Sequence, residues 1–251
     1  MTPSFFIIGA AKAATTSLAS LLAQHPDVGI VRGKEPHFFS FDKFYAAGWE
    51  RYLTLYQHCK DCKIAGDAST SYSRIRYQPN TISRIRKHVP DAKIIYMVRH
   101  PVKRIESAYY EHAATPESPN FVSLTQAVKR NTMMLDSSRY WEVFSAYREA
   151  FGERNIKVVW FEEYITDVVG QTQEVCRFLG VDDNFYPNLD QEQKNTRKGS
   201  STTQREGKQD SSLSGWDDET YNWVIEQLRE DNLKLLDHFS KPKHYWNGIF
   251  L

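Results

Sequence analysis

The segment Phe5-Phe-Ile-Ile-Gly9-Ala-Ala-Lys12-Ala-Ala-Thr15-Thr16-Ser17-Leu18 restricts the fold more than any other part of this chain. Four consecutive apolar residues suit a strand buried on both faces, which is how strands of parallel sheets read. Gly9 lets the backbone turn, and the Thr-Thr-Ser cluster stands where helix N-caps belong. A strand that runs through a lysine-bearing turn into a helix gathers amide N–H groups, hydroxyls and an ammonium around one point. The natural occupant of that point is an anion.

The spacing of the turn narrows the choice of anion. The nucleoside-triphosphate loop follows G-x-x-x-x-G-K-[ST]. Here Lys12 comes three residues after Gly9, no second glycine precedes it, and Ala13-Ala14 separate it from the hydroxyls. So short a loop cradles one phosphate more naturally than it wraps a triphosphate, and no aspartate stands out as a Walker-type magnesium ligand. A P-loop nucleotide kinase or other NTPase stays open as an alternative, as does an ordinary strand-to-helix joint with a surface lysine.

The remaining pattern alternates strands and helices. Strands are predicted over Val28–Val31, Lys63–Asp67, Lys93–Val98 and Ile156–Trp160, and helices over Thr16–Gln24, Ala47–Gln57, Pro79–His88, Pro101–His112, Arg139–Phe151, Phe161–Leu179 and Trp216–Phe239. Residues 182–212 are polar with no strong periodicity. The expected fold class is α/β, a mostly parallel central sheet flanked by helices. With 251 residues and no proline- or glycine-rich linker, residues 1–251 are expected to form a single domain.

A net charge of +1 gives no global attraction to nucleic acid or to anionic membranes. No apolar run approaches the ~18 residues needed to span a bilayer. The N-terminus lacks a basic n-region and a long apolar stretch, so the expected location is cytoplasmic. Cys59-Lys-Asp-Cys62 resembles half of a zinc or redox pattern, but no second pair completes it, and reduced cysteines near a loop are expected.

Ligands of parallel α/β sheets lie beyond the carboxyl ends of the strands. That rule gathers Lys12, Glu35 and His37, Asp67 and Arg99 at one edge, each after a different strand. Lys12 and Arg99 on neighbouring loops suit two separated phosphates of one nucleotide, and Ser107 on the following helix adds a hydroxyl to the second. Arg197-Lys198-Gly199 is a further basic cluster in an irregular segment able to close over the same anion.

Two motifs then resemble a known family. Phe6-Ile-Ile-Gly-Ala-Ala-Lys12-Ala-Ala-Thr15-Thr16-Ser17-Leu18 is similar to the 5′-phosphosulfate loop of sulfotransferases that use 3′-phosphoadenosine 5′-phosphosulfate (PAPS). Met97-Val-Arg99-His-Pro101-Val-Lys-Arg104-Ile-Glu-Ser107-Ala-Tyr109 is similar to their 3′-phosphate segment. Arg197-Lys198-Gly199 resembles the late 3′-phosphate loop. Lys34-Glu35-Pro36-His37-Phe38-Phe39 is most similar to the Glu-x-His-Phe-Phe segment of heparan-type glycan sulfotransferases.

The resemblance implies a P-loop-like, sulfotransferase-type nucleotide-binding fold. PAPS would be the co-substrate and 3′-phosphoadenosine 5′-phosphate (PAP) the product, with no metal required. Lys12, Ala13, Ala14, Thr15, Thr16 and Ser17 would surround the 5′-phosphosulfate, and Arg99, Ser107, Arg197, Lys198 and Gly199 the 3′-phosphate. Lys12 would stabilise the leaving phosphate, and Glu35 would be the base toward a hydroxyl, or as second choice an amine, of a small-molecule or carbohydrate acceptor. His37 is second choice for the base and first choice for an orienting group. Ala68 stands where heparan-type enzymes carry an acceptor-side lysine, a departure that weighs against a highly sulfated glycan. A non-catalytic nucleotide-binding module is a further alternative.

Overall fold

Five strands, β1 (Phe5–Gly9), β2 (Val28–Ile30), β3 (Ile64–Asp67), β4 (Lys93–Val98) and β5 (Ile156–Trp160), build one sheet. Their order is β2-β3-β1-β4-β5 and every neighbouring pair is parallel. This computed structural model describes residues 1–33, 35–113, 123–190 and 215–251. Arg197, Lys198 and Gly199, with Lys34, lie outside the described residues.

The central strand is the one the sequence marks most clearly. All five residues of β1 are buried, because β3 and β4 flank it and helices cover both faces. Its register aligns Phe6 with Asp67 and Ile7 with Ile95, and then slips between Ile7 and Gly9. The chain proceeds from β1 toward the β2 side and from β4 toward β5. The carboxyl ends of β1 and β4 therefore bound the crevice where loops part in opposite directions.

The helices of the first half are α1 (Thr15–Leu22), α2 (Asp42–Tyr45), α3 (Trp49–Leu53), α4 (Thr81–His88) and α5 (Pro101–Ala113). The second half adds α6 (Leu124–Arg130), α7 (Thr132–Asp136), α8 (Tyr140–Phe151), α9 (Phe161–Thr166) and α10 (Val168–Leu179), followed later by the long helix Asp218–His238. β4 and β5 have the bounds their apolar runs predict. The expected helix over Ala47–Gln57 is instead α3 plus a tighter 3₁₀ turn, Thr54–Cys59. The helical segments expected over Phe161–Leu179 are two, divided at Asp167, whose carboxylate accepts the Gly170 N–H at 2.9 Å and starts α10 afresh.

The long helix closes the core on the β5 side. Asp231 accepts the N–H groups of Trp141 at 2.9 Å and Glu142 at 3.0 Å, capping α8, which has no side-chain cap of its own. Beyond it, Trp246 is buried against Tyr140 and Trp160. Among the described residues no helix is long and apolar enough to cross a membrane.

Candidate active site

The anion cradle begins where β1 ends. Gly9 has φ +139°, and a Cβ there would lie 2.4 Å from Ser73 Oγ and 3.3 Å from the Thr70 carbonyl oxygen. Glycine is required both by conformation and by this close approach. Lys12 and Ala14 are left-handed, at φ 72° and 65°, with Ala13 between them outside that region. Such alternation makes successive backbone amides converge on an anion.

Ala14, not a hydroxyl residue, is the N-cap of α1, and no side chain caps that end. This corrects the expectation that the Thr-Thr-Ser cluster supplies the cap. The left-handed turn at Ala14 brings the chain into the helix one residue early, so Thr15, Thr16 and Ser17 form its first turn. Leu18 is the first residue whose N–H returns into the helix, to Ala14 O at 3.1 Å. The amides before it face out of the helix end. The Ser17 hydroxyl pairs with Tyr164 OH at 2.8 Å, so α9 buttresses this turn.

Arg99 does more than occupy the neighbouring loop. Its Nη1 donates to the Lys12 carbonyl at 3.0 Å, and its guanidinium lies 4.3 Å above the Phe161 ring centroid. Tyr140 OH donates to the Arg99 carbonyl at 2.7 Å. The two cations expected to hold separate phosphates are thus physically joined. Lys12 Nζ donates to Glu111 Oε1 at 3.1 Å, from the far end of the same helix α5 that carries half-buried Ser107 about two turns beyond Arg99. His100 gives its backbone N–H to Glu162 Oε1 at 2.7 Å, and burial, aided by Lys103, pushes its imidazole down to about 4. It is neutral at neutral pH.

Across from the cradle stand Glu35 and His37, both left-handed, at φ 62° and 54°. Thr70 Oγ1 donates to Glu35 Oε2 at 2.9 Å, and His37 Nε2 lies 3.6 Å from that same oxygen. The other imidazole nitrogen, Nδ1, is 2.7 Å from Ser71 Oγ, which is 2.6 Å from Ser40 Oγ. Since the Thr70 carbonyl also abuts Gly9, one 3₁₀ turn, Thr70–Ser73, touches the cradle with its backbone and Glu35 with its hydroxyl. Arg74, half-buried at the end of that turn, is lowered by burial, an effect that Glu35 and Glu111 oppose. Arg74 is thus within electrostatic reach of both Glu35 and Glu111, the carboxylate that holds Lys12.

Asp67, expected among the groups facing a ligand, is instead part of the scaffold below them. It is fully buried and accepts hydrogen bonds from Tyr52 OH, Tyr72 OH and Ser69 Oγ, each at 2.7 Å. Ser69 Oγ in turn accepts the His37 N–H at 3.1 Å. Burial raises the Asp67 carboxyl to about 6, against the pull of the three hydroxyls. A raised acid binds its proton more tightly in the folded state. Its contribution to stability is complete below the unfolded value of 3.8 and is lost as pH rises through about 6. Relative to Asp67→Asn, the wild type should lose on the order of 3 kcal/mol between pH 4 and neutrality in urea unfolding. A difference that stays constant with pH would refute this assignment.

Tyr164, Phe161, Glu162 and Glu111 belong to the site and are absent from the sequence reading. Three of them follow β5, where the same strand-end rule points but where Phe161-Glu162-Glu163 looks like an ordinary helix start. Thr70 and Ser71 belong to a hydroxyl run after β3 that no local pattern marks as part of a site.

Comparison with known proteins agrees with this geometry. The model of the sulfotransferase family matches residues 3–185. Human heparan sulfate glucosamine 3-O-sulfotransferase 3B1 is 34% identical over 199 residues, covering 74% of this chain and 49% of that protein. The chain spans about half the length of the curated relatives it matches. The structure of a sulfotransferase from Alicyclobacillus acidocaldarius is similar over 98% of this chain and 99% of its own, with TM-score 0.77 and 25% identity. A mouse sulfotransferase, SULT7A1, solved in complex with PAP, shares the fold at TM-score 0.57 and 16% identity, over 95% of this chain and 88% of its own. With most of its length matched, and with the cradle after β1 and the arginine after β4 in place, this chain belongs to the sulfotransferase family.

Proposed function

We propose that this protein transfers a sulfuryl group from PAPS to a hydroxyl of a carbohydrate or small-molecule acceptor. The observation that carries the reading is the Thr70–Ser73 turn, which seats the Glu35 carboxylate beside the end of the Lys12 cradle. Relatives named as heparan sulfate 3-O-sulfotransferases support a sugar hydroxyl as the acceptor class.

In such a reaction the acceptor oxygen attacks sulfur as the bond from sulfur to the 5′-phosphate oxygen breaks. Charge then builds on the departing phosphate. Lys12 and the outward amides of α1 stabilise that charge, and Glu35 takes the acceptor proton. His37, within reach of Glu35 and tied to Ser71, orients the carboxylate and the incoming hydroxyl. Arg99 and Ser107 bind the second phosphate, and the Arg99–Lys12 bond relates its position to that of the first.

Thermal denaturation with added nucleotides tests the co-substrate. PAP should raise the melting temperature clearly more than equimolar AMP, since only PAP carries the 3′-phosphate. Equal stabilisation by the two would remove the 3′-phosphate assignment. Radiolabelled PAPS offered with phenols, alcohols and oligosaccharides should give a labelled product; PAP binding without transfer to any acceptor would leave a binding module.

A further inference from the structure

The outer edge of the sheet carries a pair of cysteines that the transfer reaction does not use. Cys59 is buried at the end of the 3₁₀ turn Thr54–Cys59, and Cys62 is half-buried just before β3. The Cys62 N–H donates to the Cys59 carbonyl at 3.0 Å, folding the four residues back on themselves. Both sulfurs converge on Gly29 of β2. A Cβ at Gly29 would stand 2.4 Å from Cys59 Sγ and 3.5 Å from Cys62 Sγ, so the two sulfurs share the space left by the missing side chain. His58 Nε2 is 3.2 Å from Cys59 Sγ and 2.9 Å from the carbonyl oxygen of Ile30, the last residue of β2.

We propose that Cys59 and Cys62, assisted by His58, form a reversible dithiol–disulfide site oxidised by peroxides. The turn brings both sulfurs to the one space beside Gly29. A zinc site is the competing use of such residues. Among the described residues no group of three or more histidine, cysteine, aspartate or glutamate side chains is arranged to hold a metal.

The two sulfurs have different roles. Burial, with Cys62 adjacent, pushes the Cys59 thiol up, which makes it a poor first nucleophile. Half-exposed Cys62 reacts first. Its thiolate attacks a peroxide oxygen, the O–O bond breaks, and water leaves a sulfenic acid on Cys62. Cys59, its developing thiolate stabilised by the His58 Nε2–H that also donates to the Ile30 carbonyl, then attacks the Cys62 sulfur; the S–O bond breaks and the departing hydroxide takes up the proton that Cys59 gives up, leaving as a second water. The two thiols lose two electrons in all, and one hydrogen peroxide becomes two waters.

The test treats the whole chain with graded hydrogen peroxide, blocks remaining thiols with N-ethylmaleimide under denaturing conditions, and maps the peptides by mass spectrometry. A Cys59–Cys62 disulfide should accumulate and disappear with dithiothreitol, while Cys176, buried on α10 with its thiol pushed up to about 11, stays blocked as a thiol. Cys59→Ser should leave a sulfenic acid on Cys62 that dimedone traps, and His58→Gln should slow closure several-fold. Oxidation of Cys62 to the sulfinic acid with no disulfide, or oxidation of Cys176 before this pair, would overturn the proposal. Should Cys59→Ser fail to fold, Cys62→Ser must abolish the disulfide; a disulfide on Cys59 that survives in that variant is equally fatal.

Discussion

Lys12→Ala is expected to lower sulfuryl transfer by about 10²–10³-fold and to weaken PAP binding with it. The magnitude follows from removing a single fixed charge at the point where negative charge develops. The variant tests chemistry rather than folding for two reasons. Lysine and alanine both carry a Cβ, so the left-handed φ of 72° is no more strained after the change. The Lys12–Glu111 pair that is lost has its carboxylate about half exposed and is worth less than about 1 kcal/mol. Unaltered turnover from a protein of unaltered melting temperature would exclude Lys12 from the leaving-group role.

Glu35→Gln is expected to separate binding from chemistry. PAP should stabilise the variant as it does the wild type, because Glu35 lies across the Thr70–Ser73 turn from the cradle and not within it. Transfer should fall by about 10²–10⁴-fold, the usual loss when a positioned base is removed. Glutamine keeps the shape and can still accept from Thr70 Oγ1, so the local hydrogen bond survives. Retained transfer would reassign proton removal to His37, whose Nε2 is 3.6 Å from the Glu35 oxygen. Loss of PAP stabilisation would mean instead that Glu35 shapes the nucleotide site.

The core of this site was legible because strong periodicities carry it. A buried four-residue apolar run, a glycine, a lysine and hydroxyls define β1, the turn and α1, and an apolar run ending in Arg99-His-Pro101 defines β4 and α5. Parallel order then places Lys12, Glu35 and Arg99 at one edge, and the sheet confirms it. What escaped depends on contacts between distant elements. Nothing local to Arg99 indicates that its guanidinium reaches the Lys12 carbonyl, or that Phe161, on a helix after β5, lies beneath it. Asp67 misled because a strand-end carboxylate reads the same whether it faces a ligand or three buried hydroxyls. The cap of α1 was misplaced because Ala14 adopts a left-handed conformation that alanine rarely takes, and composition does not announce it.

The Asp231 cap has a consequence for the order in which this protein is made. The amides of Trp141 and Glu142 wait for a carboxylate 90 and 89 residues further along the chain. Trp160, at the end of the last strand, waits nearly as long for Trp246. While the ribosome is still adding the long helix, the nucleotide half of the molecule has all its strands but lacks the piece that seals the apolar face of α8. The family-matched stretch, residues 3–185, does not include the Asp231 carboxylate that caps α8 or the Trp246 ring that packs on Trp160. The β5 side is thus held by contacts between distant residues, the kind whose formation has to wait for loop closure.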